Sequence, residues 1–471
     1  MPKTMRYKKK IFLKNLLNSI SKQIGVISVT HVGSFFEKDL HEISDVDIVV
    51  IIKDLNSISY KKIKDCVLNF NISKYFPDYH LELNTSFGPL KVSKDKTLVI
   101  HLMIYSLEEH ILHTIESPFT TFDWERSSDY KKKSIASLKK TYNLSLQDFR
   151  NSYRSSSGYL ENLDLKRISY KKYVIEKDQI SLKNFYVKID NKYQIEFSYH
   201  IMRNTISNYL KFITQKNSVE NLKKNWKNYL PDIYLKHFQT FSELEELKLS
   251  KDYEKGFSLS ISKEFLKDFN LHLSNFETES KKIIFLRHME TELNTNNIFY
   301  GTHTDSKIIS NKVELDPSVL NKNYKIYSSE SKRAILSAKE YGFHDLNISE
   351  QINEIQYGLA ENLKFDEYKR KYYVNSILWE LGIDKRFPRG ENHSDVLWRV
   401  KKHLNCIDTN SILFTHLVPI RVLLGDYYNI PKKYWFKISI PHNKPIKFLK
   451  YKNKLYSNID RLLLSEIFKN L

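Results

Sequence analysis

The sequence predicts a multidomain chain of mixed class, α/β towards its carboxyl-terminal end and α+β towards its start. Three observations carry this. Short β-branched runs follow an opening helical stripe in the first part of the 471 residues. A long helical stretch occupies the middle. Apolar runs ending on reactive polar residues then alternate with helical patterns to the end. A chain of this length fits two to four domains.

Residues 7–24 place Ile11, Leu13, Leu16, Leu17 and Ile20 on one helical face, and Gly25 closes the stripe. Val26 to Val32 reads as a strand stopping at Gly33-Ser34. A second strand runs to Ile52 from Ser44-Asp45-Val46-Asp47. Asp45 and Asp47 are two apart, so both carboxylates point to one face. Such a pair suits a divalent cation, and Mg²⁺ favours carboxylates together with substrate phosphates. Two such ions clamp the attacking and leaving oxygens of a phosphoryl displacement. Gly33 lets backbone approach a phosphate, and the Ser34 hydroxyl can donate to it.

The segment HVGSFFEKDLHEISDVDIVV resembles the polymerase-beta-like nucleotidyltransferase superfamily. The resemblance implies a mixed-sheet domain over about residues 1–125, an NTP substrate, and Mg²⁺ on Asp45 and Asp47. That family usually carries a third carboxylate on a later strand. Here the assignment is open: Glu82, in the candidate strand from Tyr79, is one candidate for the third metal ligand. The alternative strand, Thr97 to Tyr105, has His101 as its central polar residue, which also fits a core histidine.

Residues 126–278 read as a mainly helical middle domain. Helical pieces include Lys131 to Tyr142, Tyr193 to Lys216, and Val219 to Leu247 with a break at Pro231. His200, Arg203 and Asn204 could meet an acceptor, although a packing helix is the stronger reading. No internal repeat or low-complexity tract is seen.

In residues 279–471 the run Ile283 to Leu286 reads as a buried strand, followed by Arg287 and His288. Ligands sit at the carboxyl ends of strands in open α/β sheets. An imidazole there can attack phosphorus, and a guanidinium can clamp phosphate oxygens. Ser411 to Thr415 is another apolar strand, ending at His416. Glu330 to Gly342 reads as a helix with Arg333 in its first turn, where amides and dipole favour an anion. Trp379 and Trp398 read as core.

The pieces RHMETELN, SSESKRAILSA, NEIQYGLAENL, GENHSD and ILFTHLVPIRVLL, in this order over about residues 281–425, resemble the histidine phosphatase superfamily, the phosphoglycerate-mutase-like proteins. The resemblance implies a three-layer α/β/α domain with His288 as phosphorylated nucleophile. Arg287, Arg333 and His416 would line the phosphate pocket, with Asn294 a further phosphate contact. Glu354 would be the general acid, and no cofactor is expected. Two departures stand out. Met289 replaces the usual Gly after Arg-His, and Leu417 and Val418 replace small residues after the second His.

The net charge of +20 and pI near 9.4 fit either a polyanionic partner such as nucleic acid or a solvated lysine-rich surface. Cys66 and Cys406 make no disulfide framework or metal spacing, which suits a reducing cytoplasm. No apolar run of eighteen or more residues and no signal peptide are read, so no membrane is expected. Together these readings predict a bifunctional enzyme, with Mg²⁺-dependent nucleotidyl transfer in the first half and phosphate-ester hydrolysis through phosphohistidine in the second. The partners would be an NTP and a phosphorylated small molecule or nucleotide. Three alternatives stay open: a non-catalytic nucleotide-binding first module, nucleic-acid end processing, and a mutase in place of a phosphatase.

Overall fold

The computed structural model describes residues 3–33, 35–36, 45–88, 90, 96–152, 155–296, 298–304, 306–309, 323–442 and 444–471. The chain divides into two compact units. One is Met1–Leu144 with Asp148–Leu271, and the other is Ser145–Gln147 with His272–Leu471.

The first unit holds a five-stranded sheet of β1 (Val26–Val32), β2 (Val46–Ile52), β3 (His80–Asn84), β4 (Thr97–Ser106) and β5 (Tyr130–Lys132), in the order β3-β4-β2-β1-β5. β1 pairs antiparallel with β2 and β5, while β4 runs parallel to β2 and β3. Strand alternation sorts the residues. Ile48, Val50 and Ile52 pack with Ile100, Leu102 and Ile104 beneath the helix Lys3–Ser21, which buries Phe12, Leu13, Leu16, Leu17 and Ile20 there. Val49, Ile51, Met103 and Tyr105 face the other way, against Trp124. Gly25, at φ +80°, turns the chain from the helix into β1, a conformation that favours glycine.

One expectation fails here. Residues 131–142 do not form one helix: they contain the end of β5 and a four-residue helix, Ile135–Leu138. Pairing with β1 overrides the local periodicity at the sheet edge. The middle of the chain also contains a hairpin, β6 (Arg167–Glu176) and β7 (Gln179–Lys188). Its turn residues Lys177 and Asp178 have φ of 48° and 65°. A two-residue turn with both φ positive matches strand twist, but Lys-Asp lacks the usual glycine signal. Helices then follow at Asn191–Thr214, Leu222–Tyr229, Pro231–Ser250 and Leu259–Glu279, with Pro231 opening the third as the break foresaw. On the first of them, His200 Nε2 lies 3.0 Å from Lys248 Nζ.

The second unit holds a six-stranded sheet of β8 (Lys281–Arg287), β9 (Lys325–Ser328), β10 (Asn347–Ile348), β11 (Ser411–Thr415), β12 (Ile446–Tyr451) and β13 (Lys454–Ser457), in the order β10-β9-β11-β8-β12-β13. The four strands from β10 to β8 are parallel; β12 and β13 add an antiparallel edge. Ile284, Leu286, Ile412 and Phe414 pack against Ala334 and Ala338 of the helix Lys332–Glu340. Their neighbours Ile283, Phe285 and Leu413 alternate to the opposite face and are equally buried. Trp398 corrects the core assignment, because it is 67% exposed. The buried stripe of its helix, His393–Cys406, is Val396, Arg399, Val400, His403 and Leu404. Trp379 is partly buried and stacks on Tyr368 at 5.4 Å. Cys66 and Cys406 are both free thiols. Among the described residues no helix is long and apolar enough to cross a membrane.

Candidate functional site

Three parallel strands bring the C-terminal site together. Arg287 and Thr415 are register partners at the ends of β8 and β11, and the His288 amide donates to the Thr415 carbonyl at 2.9 Å. His288 and His416 therefore leave adjacent strands side by side, their ring centroids 5.1 Å apart. β9 ends next to β11, and the Ser329 amide donates to the Phe414 carbonyl at 3.0 Å. This sets the start of the helix Lys332–Glu340, and with it Arg333, over the two rings.

Arg333 is the bridge. Its Nε donates to His288 Nε2 at 3.2 Å and its Nη2 to His416 Nδ1 at 3.2 Å, while Nη1 donates to the carbonyls of Gly301 and Thr304 at 3.0 and 3.1 Å. A guanidinium only donates and a carbonyl only accepts, so the ring protons can be assigned. His288 keeps its proton on Nδ1, donated to the Met289 carbonyl at 2.7 Å, and presents the Nε2 lone pair. His416 keeps its proton on Nε2, beside Ser329 Oγ at 2.7 Å. Burial, then the Arg333 and Arg287 charges, hold the His288 pKa well below the usual imidazole value. Burial and Arg333 do the same to His416. Both rings are thus neutral at pH 7, the form in which an imidazole nitrogen can attack.

Arg287 donates from Nη1 to the Ile440 carbonyl at 2.8 Å. Its Nε is buried and has no acceptor among the described residues. Burial lowers its pKa to about 10. A buried guanidinium N–H without an acceptor is costly unless an anion supplies one. Glu354 is also buried, and Oε1 accepts from the amides of Ile355 and Val418 at 3.0 and 3.2 Å. Its charge bears on Arg287, Arg333 and Arg421. Asn294 Oδ1 accepts from the Thr291 amide and hydroxyl at 2.9 and 2.8 Å, a bond pair that ties the loop after His288.

The two departures from the family pattern become intelligible. Met289 does not have positive φ, so its backbone does not need glycine. Its amide donates to Ser337 Oγ at 2.8 Å and its side chain is buried. Val418 meets Glu354 through its amide, which any non-proline residue supplies.

Four further residues join this site without having been singled out: Ser329, Tyr300, Arg421 and His442. Ser329 and Arg421 lay inside quoted motifs. Tyr300 places its ring 4.6 Å from the Arg333 guanidinium. Arg421 is held by the Ile438 carbonyl at 3.1 Å. His442 Nδ1 donates to the His288 carbonyl at 2.8 Å, and burial and Arg287 lower its pKa to about 4. It follows His288 by 154 positions in a stretch with no periodic signal, so only folding reveals it.

The acidic edge of the first unit is built differently. Asp47 pairs in register with His101, and His101 with Asn84. Asp47 Oδ1 lies 2.7 Å from His101 Nδ1, and His101 Nε2 lies 2.6 Å from the Ser86 carbonyl. Gly33, at φ +84°, sits against this carboxylate so closely that a Cβ would overlap Asp47 Oδ2. Glu82 is level with Val99, two residues before the His101 row. Among the described residues no group of three or more His, Cys, Asp or Glu converges as a metal cluster. Asp45 starts β2's approach, and Ser34 lies outside the described residues.

Residues 283–458 match the sequence profile of the histidine phosphatase superfamily (branch 1). Solved structures similar to this chain include an alpha-ribazole phosphatase from Shigella flexneri, at 14% identity, TM-score 0.32, covering 38% of this chain and 95% of that one. A mycobacterial glucosyl-3-phosphoglycerate phosphatase gives 17%, 0.30, 38% and 100% in the same order. YhfR of Bacillus stearothermophilus gives 18%, 0.33, 38% and 96%. No curated protein matches. The profile match at residues 283–458 supports a histidine phosphatase superfamily domain in the C-terminal unit, and with it phosphoester hydrolysis there.

Proposed function

We propose that the C-terminal unit removes phosphate from a phosphorylated small molecule through a phosphohistidine at His288. One observation carries the reading. Arg333 bridges the lone pairs of two buried neutral imidazoles, next to an Arg287 Nε that has no protein acceptor among the described residues. A phosphoryl group entering this cradle gives both guanidinia oxygens to bind. His288 Nε2 attacks phosphorus as the bond to the leaving oxygen breaks, and Glu354 gives that oxygen its proton. Water then attacks the phosphohistidine, the P–N bond breaks, Glu354 takes the water's proton and inorganic phosphate leaves. Fixed positive charge in a water-poor site stabilises both transition states without reorganisation. His416, with Ser329 behind it, lines the cradle, and Asn294 orders its loop.

The test is hydrolysis of a generic aryl phosphate by the full chain. His288→Ala abolishes turnover and labelling of the protein with phosphate after an alkaline quench, in which a P–N bond survives, while Asp45→Ala and Asp47→Ala leave both intact. Loss in all three variants rejects separate sites. Turnover without labelling rejects the covalent step.

A second reading concerns the first unit, and the apposition of Gly33 and Asp47 favours it. Magnesium-dependent nucleotidyl transfer would have Asp45 and Asp47 hold the ion, which supplies charge neutralisation to the triphosphate. The fit is partial: Asp47 already engages His101, and Glu82 is out of its row. Pyrophosphate release from labelled NTPs, lost in Asp47→Asn, supports transfer. NTP binding without release supports a sensing module instead.

A further inference from the structure

A cavity of about 190 Å³ opens in the N-terminal unit, on the sheet face that carries Met103 and Tyr105. Its walls are aromatic. Phe87 lies 4.9 Å from Tyr105 and 5.4 Å from Tyr173 between ring centroids, and Trp124 lies 6.1 Å from Tyr105. The walls are pinned. Phe87 and Lys171 exchange backbone hydrogen bonds at 2.7 and 2.8 Å, which ties β6 to the segment after β3. Gly88, at φ +138°, permits that approach, since a Cβ there would meet Tyr170 Cα at 3.1 Å and the Ser169 carbonyl at 3.2 Å.

The polar groups at the cavity are unlike the rest of the chain. Two carboxylates, Glu109 and Glu116, stand against one ammonium, Lys171, in a protein of net charge +20. Glu109 is held in place by the Ser106 amide at 2.8 Å and the Tyr173 hydroxyl at 2.7 Å. Glu116 and Lys171 are 3.8 Å apart and 59% and 34% exposed. That distance is too long for a hydrogen bond, and an exposed pair of this kind is weak. Glu116 is therefore open to a competing cation.

We infer that this cavity is a binding site for a small planar aromatic amine. The ring lies against the aromatic walls, and its amino group or ammonium meets Glu109 and Glu116. Cavities of about 150 Å³ hold one benzene ring, so this one suits a single ring or a fused pair. Aromatic faces and carboxylates together select a cation over a neutral or anionic ring. The inference needs neither the phosphatase site nor a metal.

The experiment is calorimetric titration of the full chain with tryptamine, indole and indole-3-acetate. Tryptamine binds tightest, indole about fivefold weaker, and indole-3-acetate weaker still. Glu116→Gln weakens tryptamine by about fivefold and leaves indole unchanged. Leu112→Trp, an exposed position at the mouth, weakens all three probes. An unchanged circular dichroism spectrum and parent-like protection of the β1–β5 sheet in hydrogen exchange show that each variant is folded. Equal affinity for the three probes, no tryptamine binding at millimolar concentration, or binding indifferent to both substitutions overturns the inference.

Discussion

The basic cradle of the second unit and the acidic edge of the first both lie where polar residues meet the end of a sheet, yet they are built to different tolerances. In the cradle, His288, Arg333 and His416 are joined by direct hydrogen bonds, and each is also bonded to a group outside the trio. At the acidic edge, Asp47 and His101 are partly exposed, at 25% and 14%, and share one direct contact. Removing one member of a buried network strands its partners, whereas an exposed pair has water as a substitute. The difference teaches where function is most sharply encoded, and it can be broken by experiment.

The largest effect belongs to the nucleophile. His288→Ala lowers kcat for an aryl phosphate by on the order of 10⁴-fold or more, since residues acting as one unit fail together. Asp47→Ala changes it less than about twofold, because Asp47 belongs to the other compact unit and residues with no shared partners act independently. Steady-state kinetics on both variants checks the contrast.

Next comes Arg287→Lys. The charge stays, but the fork and its unpartnered Nε are lost. Lys supplies a point charge where Arg supplies fixed, directed donors. Removing one such donor to a developing anion costs roughly 100-fold in kcat. A change confined to KM would assign Arg287 to ground-state binding instead.

Acid separates the two units more gently. In the second, burial holds His403 and His442 to about 4, and His288 and His416 also lie well below the usual value. Above about pH 6.5 these imidazoles are neutral in both folded and unfolded chains. As pH falls towards 4 the unfolded chain takes up protons that the folded one refuses, so stability is lost. Each strongly shifted group contributes at most about 3 kcal/mol over that window, less where water reaches it. In the first unit His31 is lowered and His110 lies near 4, with the same sign. There Glu125 opposes them, because burial raises its carboxyl to about 7. Its contribution is full below about pH 4.5 and fades as pH rises through 7. Hydrogen exchange at pH 5 against pH 7 therefore shows greater loss of protection in residues 272–471 than in residues 1–144. Equal loss would contradict this ledger of buried groups.

The same contrast explains what the sequence made legible. His288 and His416 each follow an unbroken apolar run, so the residues alone place them at strand ends, and parallel pairing then sets them side by side. Arg333 was readable from its place in a helix's first turn. His442 was not, since nothing local marks a residue whose partner lies 154 positions away, whereas Arg421 lay inside the quoted ILFTHLVPIRVLL stretch. The hairpin of residues 167–188 was missed because Lys-Asp adopts a turn that glycine usually signals. Glu82 shows a different limit: alternation gives its face on the strand, but pairing register, which sequence does not supply, sets it level with Val99.

Register also yields the subtlest prediction, which bears on the acidic edge. His101 stands in the row of Asp47, with an acceptor on each side of its ring. The ring therefore supplies Asp47 with a hydrogen-bond partner in the place where a carboxylate would complete a cation site. His101→Asp replaces that partner with a like charge. Without magnesium the variant is less stable than the parent by roughly 1 kcal/mol, as like charges directly opposite on a sheet repel. With magnesium it gains more than the parent does, because hard cations favour added carboxylate oxygens and binding to the folded state raises its stability. Thermal melts of both proteins with and without millimolar MgCl₂ measure this directly: a melting shift of a few degrees in His101→Asp and a smaller one in the parent is expected. A larger shift in the parent would mean that the imidazole itself belongs to the cation site, and that Asp47 and His101 act together and do not compete.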